Sequence, residues 1–102
     1  MYIVREIFQL QFGRYKEAKA LIDKGLKEGV LTPPAGSRIL TDFTGEGYRL
    51  ILESPYRSLG DFETDMQKEM RSSGWHEWYD QFKMLIRNSD REILKQIGET
   101  GK

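Results

Sequence analysis

An α+β fold is what these 102 residues predict: a four-stranded antiparallel sheet covered on one side by helices, in the order strand, helix, strand, strand, helix, strand. Three observations carry the expectation. The chain opens on an alternating apolar stretch, it switches to a helical period after a glycine, and it repeats that change of period in its second half. The length fits a single domain, 1–102. Lys plus Arg number 16 and Asp plus Glu number 16, so the formal net charge is zero and no nucleic-acid partner is expected. The absence of cysteine excludes disulfides, thiolate metal sites and a thiol nucleophile. With one histidine in the chain, a multi-histidine metal site is excluded as well. No apolar run reaches the ~18 residues of a membrane span. No basic segment followed by an apolar one opens the chain, so the expected compartment is cytoplasmic.

The first strand is expected over Tyr2–Phe12, where Phe8, Leu10 and Phe12 point one way and Gln9 and Gln11 the other. Gly13 ends it. Tyr15, Ala18, Ile22, Gly25 and Leu26 then fall on one helical face. Lys19–Asp23, Asp23–Lys27 and Lys24–Glu28 are opposite-charge pairs four apart on the solvated side, each worth ~0.2–0.5 kcal/mol. Gly29 offers a left-handed stop, and Thr32-Pro33-Pro34-Ala35-Gly36 is a connection too short to divide domains. Arg38–Thr44 and Tyr48–Glu53 read as two strands of a hairpin joined at Gly45-Glu46-Gly47, with the second broken at Ser54-Pro55-Tyr56-Arg57. Ser58 followed by Asp61 resembles a capping box, opening a helix with Leu59, Phe62, Met66 and Met70 on one face. Ser72-Ser73-Gly74 interrupts it. A further helix carries Trp75, Trp78, Tyr79, Phe82, Leu85 and Ile86, the strongest periodic signal in the chain. Asn88-Ser89-Asp90 reads as its stop, and Arg91–Ile97 as a short last strand.

This order is the split βαβ, ferredoxin-like arrangement, with both helices on one side of the sheet. The other side mixes Gln9 and Gln11 with apolar residues. Such a face is too apolar for water and too polar for a dry core, so a homodimer packed sheet on sheet, enclosing a small cavity, is expected. Val4–Tyr15 resembles the opening of the NIPSNAP-like group within the dimeric α+β barrel superfamily, where a strand runs through a glycine into a helix. Glu77-Trp78-Tyr79-Asp80-Gln81-Phe82 followed by Asp90-Arg91-Glu92-Ile93-Leu94 resembles that group's aromatic last helix and closing strand. Where the group usually carries a proline before the glycine, this chain has Phe12. The resemblance spans nearly the whole chain and implies a ferredoxin-like dimeric barrel. It carries over no catalytic motif, and no cofactor is implied.

The polar residues expected on strands supply the ligand-binding candidates: Arg5, Gln9, Arg49 and Glu53, joined by His76 on the last helix. Arg5 and Arg49 on neighbouring central strands form an anion site if no carboxylate separates them, and a structural ion pair if Glu53 does. His76 is the one group that titrates near neutrality. It reads either as a surface residue or, as the resemblance to the superfamily's haem-degrading members implies, as a base or haem ligand at a barrel mouth. Those members pair a histidine with an Asn and a Trp, a pattern to which Asn88 and Trp75 are not matched in spacing. The aromatic run Trp75, Trp78, Tyr79, Phe82 reads as core before pocket. Three functions follow: a homodimeric barrel binding a small molecule, a cofactor-independent monooxygenase-type enzyme of the same superfamily, or an interaction module with a filled barrel. The extent of the cavity separates the first two from the third.

Overall fold

A computed structural model describes residues 1–101. Its elements are β1 (Tyr2–Leu10), α1 (Tyr15–Lys27), β2 (Arg38–Thr41), β3 (Arg49–Tyr56), α2 (Leu59–Met70), α3 (Trp75–Phe82), a 3-10 turn over Lys83–Leu85, and β4 (Ile86–Lys95). The strands form one sheet in the order β2-β3-β1-β4, every neighbour antiparallel. This is the ferredoxin-like α+β topology, with the first and third strands in the middle.

Side-chain alternation assigns the two faces. Val4, Glu6, Phe8 and Leu10 of β1 turn toward the helices, and Val4 and Leu10 are buried there. Register puts Leu50, Leu52 and Ser54 of β3 and Ser89, Arg91 and Ile93 of β4 on the same side. The opposite face carries Ile3, Arg5, Ile7 and Gln9, flanked by Arg49, Ile51 and Glu53 on one side and Asn88, Asp90 and Glu92 on the other. No helix of the described residues covers that face. The molecule is a slab of 37 × 35 × 21 Å, one sheet and one helical layer thick.

The dense core lies at the end of the sheet where β1 finishes and β3 begins. Leu10 and Leu50 meet Ala18 and Ile22 of α1, Trp78 and Phe82 of α3, and Val30, Leu31 and Leu85. Each fully buried side chain of this size contributes about 1.5–3 kcal/mol. Gly25 is what lets α1 and α3 close. A Cβ there would sit 2.9 Å from Trp78 Nε1 and 3.0 Å from the Leu31 side chain. In that gap the indole donates to the Leu21 carbonyl at 2.6 Å, satisfying the polar end of a buried tryptophan.

Several boundaries differ from the sequence reading. β1 stops at Leu10, leaving Phe12 exposed before Gly13 turns with φ +80°. β2 stops at Thr41. β3 does not break at Ser54 but runs through Pro55 to Tyr56. The Leu10 N–H to Tyr48 carbonyl bond sets the alternation of β3, so position 55 would direct its N–H away from β1. β2 begins only at Arg38, which pairs with Glu53, so no ladder bond awaits position 55 and proline fits. Asn88-Ser89-Asp90 is not a stop. These residues pair with Gln9, Phe8 and Ile7 inside a ten-residue β4, which starts at Ile86. Pairing with a long central strand overrides their low strand propensity on this edge.

Ser58 caps α2 as the sequence indicates, its hydroxyl accepting from the Asp61 N–H at 3.1 Å. Yet α2 has no buried residue, and Leu59 and Met70 of its apolar stripe are exposed.

Candidate functional site

The space that α2 fails to fill is the candidate site. Between α2, α3, the Leu31–Thr32 segment and the helix side of the sheet lies a cavity of about 300 Å³. Its apolar wall comes from Phe8, Leu52, Phe62, Met66 and four side chains of α3, Trp75, Trp78, Tyr79 and Phe82. The rings stack in order: Trp75 on Tyr79 at 4.9 Å and 7°, Trp78 on Phe82 at 5.0 Å and 13°, and Phe8 edge-on to Phe82 at 4.9 Å. A second cavity of about 200 Å³ adjoins it under α1, and the two share Leu31, Leu52, Tyr56 and Glu69.

The polar groups of the larger cavity are Glu6, Tyr56, Asp65, Glu69, Ser89 and Arg91, with Thr32 at the edge. Glu69 accepts the Thr32 backbone N–H at 2.9 Å, which ties the C-terminal turn of α2 to the loop after α1. Burial raises the Glu69 carboxyl above its ordinary range. The Thr32 N–H opposes that rise, and the neighbouring Glu6 and Asp65 charges add to it. Burial, helped by Asp65, Glu69 and Glu6, pushes the Tyr56 phenol up to about 12. Arg91 donates to Glu6, and its guanidinium lies 5.1 Å over the Phe62 ring.

The residues singled out from the sequence lie elsewhere. Arg5, Gln9, Arg49 and Glu53 are all on the open face of the sheet, and none of the four lines either cavity. Arg5 and Arg49 are not one ladder step apart. Arg5 opposes Glu53 and Arg49 opposes Gln9, about 13 Å further along the strands. Each arginine has a carboxylate beside it. Arg5 lies 3.6 Å from Glu53 and 3.3 Å from Glu92, and Arg38 also pairs with Glu53. Arg49 grips Asp42 through Nε at 3.1 Å and a terminal nitrogen at 2.8 Å. That hydrogen-bonded grip outweighs burial and lowers the Asp42 carboxyl. Asp42 also accepts the Gly47 N–H at 2.8 Å, and Gln9 donates to the Gly47 carbonyl at 2.8 Å, so these residues fix the β2–β3 hairpin. His76 is exposed, its ring edge-on to Trp75 at 5.3 Å, and it lines neither cavity.

The sequence reading missed Glu6, Asp65, Glu69 and Arg91. The signal for Glu6 was present: it stands among Val4, Phe8 and Leu10 on the dry face of β1, where a carboxylate needs a reason. Asp65 and Glu69 stand one turn apart on α2, next to the Phe62–Met66 stripe. Among the described residues no group of three or more His, Asp or Glu side chains is placed to hold a metal ion, and no helix is long and apolar enough to cross a membrane.

Comparison with solved structures decides the fold. An uncharacterised NIPSNAP domain protein from Burkholderia xenovorans superposes with a TM-score of 0.83 at 13% identity, covering 100% of both chains. The fold is that of the NIPSNAP proteins. A NIPSNAP family protein from Agrobacterium tumefaciens gives a TM-score of 0.76 at 22% identity over 93% of this chain and 92% of its own. A protein from Nitrosomonas europaea, proposed to be an antibiotic biosynthesis monooxygenase, gives 0.68 at 14% identity over 96% of this chain and 100% of its own. No protein-family model matches the chain, and no curated protein matches it.

Proposed function

We propose that the chain is a NIPSNAP-like homodimeric barrel that binds a small organic molecule in the helix-side cavity of each subunit. The cavity of about 300 Å³ under α2 carries the reading, because it combines an aromatic wall with a few convergent polar groups at the low end of the usual ligand-site volume. A cytoplasmic location goes with it, since a cysteine-free fold draws nothing from an oxidising compartment. The test is a fragment screen by thermal shift, repeated on Met66→Trp, whose indole would occupy the cavity. Hits should shift the native protein and lose their effect in the variant. Hits that persist in the variant would place binding elsewhere.

Dimerisation is supported by the open face. Across the sheet, Glu92, Arg5, Glu53 and Arg38 form one row of alternating sign, and Asp90, Ile7, Ile51 and Leu40 form the next. The alternating row complements its own reverse. A second copy turned about an axis parallel to the strands sets acid against base along its length, while the apolar centre of the next row, Ile7 and Ile51, meets its counterpart. Sedimentation should give about twice the 12.0 kDa chain mass at micromolar concentration. Arg5→Glu, which makes three adjacent carboxylates, should give monomer. A folded monomeric native protein would overturn this part.

An oxygenase reading draws on the likeness to the Nitrosomonas europaea protein and on Glu69, a carboxylate whose raised pKa suits a general base facing an aromatic pocket. Oxygen consumption with electron-rich phenols, lost in Glu69→Gln, would support it.

A further inference from the structure

The charge of the cavity under α2 selects among small molecules. Its wall holds three carboxylates, Glu6, Asp65 and Glu69, and one guanidinium, Arg91. Arg91 is already committed to Glu6 and to the face of Phe62. Asp65 and Glu69 are i and i+4 on one helix, an arrangement in which like charges repel. Among the described residues neither is ion-paired, and the Glu69 carboxylate accepts one hydrogen bond, from the Thr32 N–H. The helix that presents them carries four acidic side chains, Asp61, Glu63, Asp65 and Glu69, against one lysine, Lys68. The cavity wall on α3 includes Trp75 and Tyr79, whose ring faces attract positive charge.

Each class of ligand meets this wall differently. An anion would add to two uncompensated carboxylates. A neutral body would take water from them and return nothing. A cation relieves their mutual repulsion and finds ring faces for its apolar part. We propose that the cavity takes a protonated amine on an aromatic or compact apolar body, its ammonium set by Asp65 and Glu69 and its body against the rings of α3. This rests on the cavity being a binding site, as proposed above, and adds the chemical class of its ligand.

The two tryptophans of the chain, Trp75 and Trp78, both line the cavity, so their indole N–H resonances report its occupancy directly. Phenethylamine, 2-phenylethanol and 3-phenylpropanoate share one aromatic body and differ in charge. Titrated at pH 7 against the labelled native protein, the amine should shift both indole peaks with at least tenfold tighter binding than the alcohol, and the carboxylate should bind weakest. In Asp65→Asn/Glu69→Gln the preference for amine over alcohol should collapse, the amine binding more weakly and the alcohol no longer having to dehydrate two carboxylates. Equal or tighter binding of alcohol or carboxylate overturns the proposal and leaves the cavity as a binding site. An undiminished amine preference in the double variant also overturns it. Silence of both indoles toward all three probes overturns the site itself.

Discussion

Two ends of the same covered sheet face have opposite fates. At the end held by α1 and α3, Leu10, Leu50, Ile22 and Phe82 are buried almost completely, and a glycine is needed for the helices to approach. Toward the other end, beneath α2, the sheet presents Glu6, Leu52, Tyr56 and Arg91, and the helix above buries nothing. Both α1 and α2 are amphipathic helices of similar length, 13 and 12 residues. The difference lies in the side chains between helix and sheet. Small residues, Ala18 and Gly25, bring α1 down onto its neighbours. On α2 the corresponding side chains are Phe62 and Met66, flanked by carboxylates that resist burial, so the helix stands off and leaves a hollow. Burial is concentrated at one end and open volume at the other.

Mutations should reproduce that division. The largest effect is expected at the packed end. Trp78→Ala removes a buried ring and its hydrogen bond to Leu21 and should cost about 3–5 kcal/mol in denaturant unfolding. His76→Ala, on the exposed side of the same helix, should stay within about 0.5 kcal/mol. Equal damage from both would mean that α3 does not anchor the core through Trp78. Next comes Gly25→Ala, which adds a methyl group where the Trp78 indole stands 2.9 Å away. Its cost should be about 1–3 kcal/mol from overpacking, against the gain in helix propensity an alanine normally brings. A stabilised Gly25→Ala would show that α1 and α3 are not tightly closed.

The packed end was legible in the sequence because its signals are local. Ala18, Ile22 and Gly25 repeat at helical spacing, as do Trp78, Phe82 and Leu85, and Phe8 and Leu10 alternate as a strand must. The hollow end was not, because an empty volume has no residue pattern. Phe62, Met66 and Trp75 are spaced as core residues are, and only the distance at which α2 stands makes them a cavity wall. β4 was misread for a related reason. Asn88, Ser89 and Asp90 look like a helix stop by propensity, and their strand state depends on the partner residues Gln9, Phe8 and Ile7. Alternation exposes the polar positions of the open face, so they stand out in the sequence as site candidates. There Arg5 and Arg49 proved to be matched with Glu53, Glu92 and Asp42.

A smaller effect is expected at the hollow end. Met66→Ala should cost about 1 kcal/mol or less, because one side of the Met66 side chain already faces open space and few contacts are lost. A fully buried methionine would cost 2–5 kcal/mol by the usual range for such truncations. A loss of that size at Met66 would mean that α2 packs as tightly as α1 and would erase the distinction between the two ends.

The smallest expected change, and the one that depends on pH, is at Glu69. Its carboxyl is raised in the folded protein, chiefly by burial, and the Thr32 N–H only partly offsets this. Between the ordinary carboxyl value of 4.5 and the raised folded value, the folded state therefore holds more protons than the unfolded one. Stability falls as pH rises through that window, and the full cost is present above it. Glu69→Gln removes the ionisation while its amide oxygen still accepts the Thr32 N–H. At pH 7 the ligand-free variant should be more stable than the native protein, and the gain should vanish near pH 4, where the native carboxyl is itself neutral. Urea titrations of both proteins at the two pH values measure this. A gain of equal size at both would assign it to something other than charge. A loss at pH 7 would mean that an ionised Glu69 holds α2 in place, and that the helix over the hollow depends on its carboxylate just as α1 depends on its small residues.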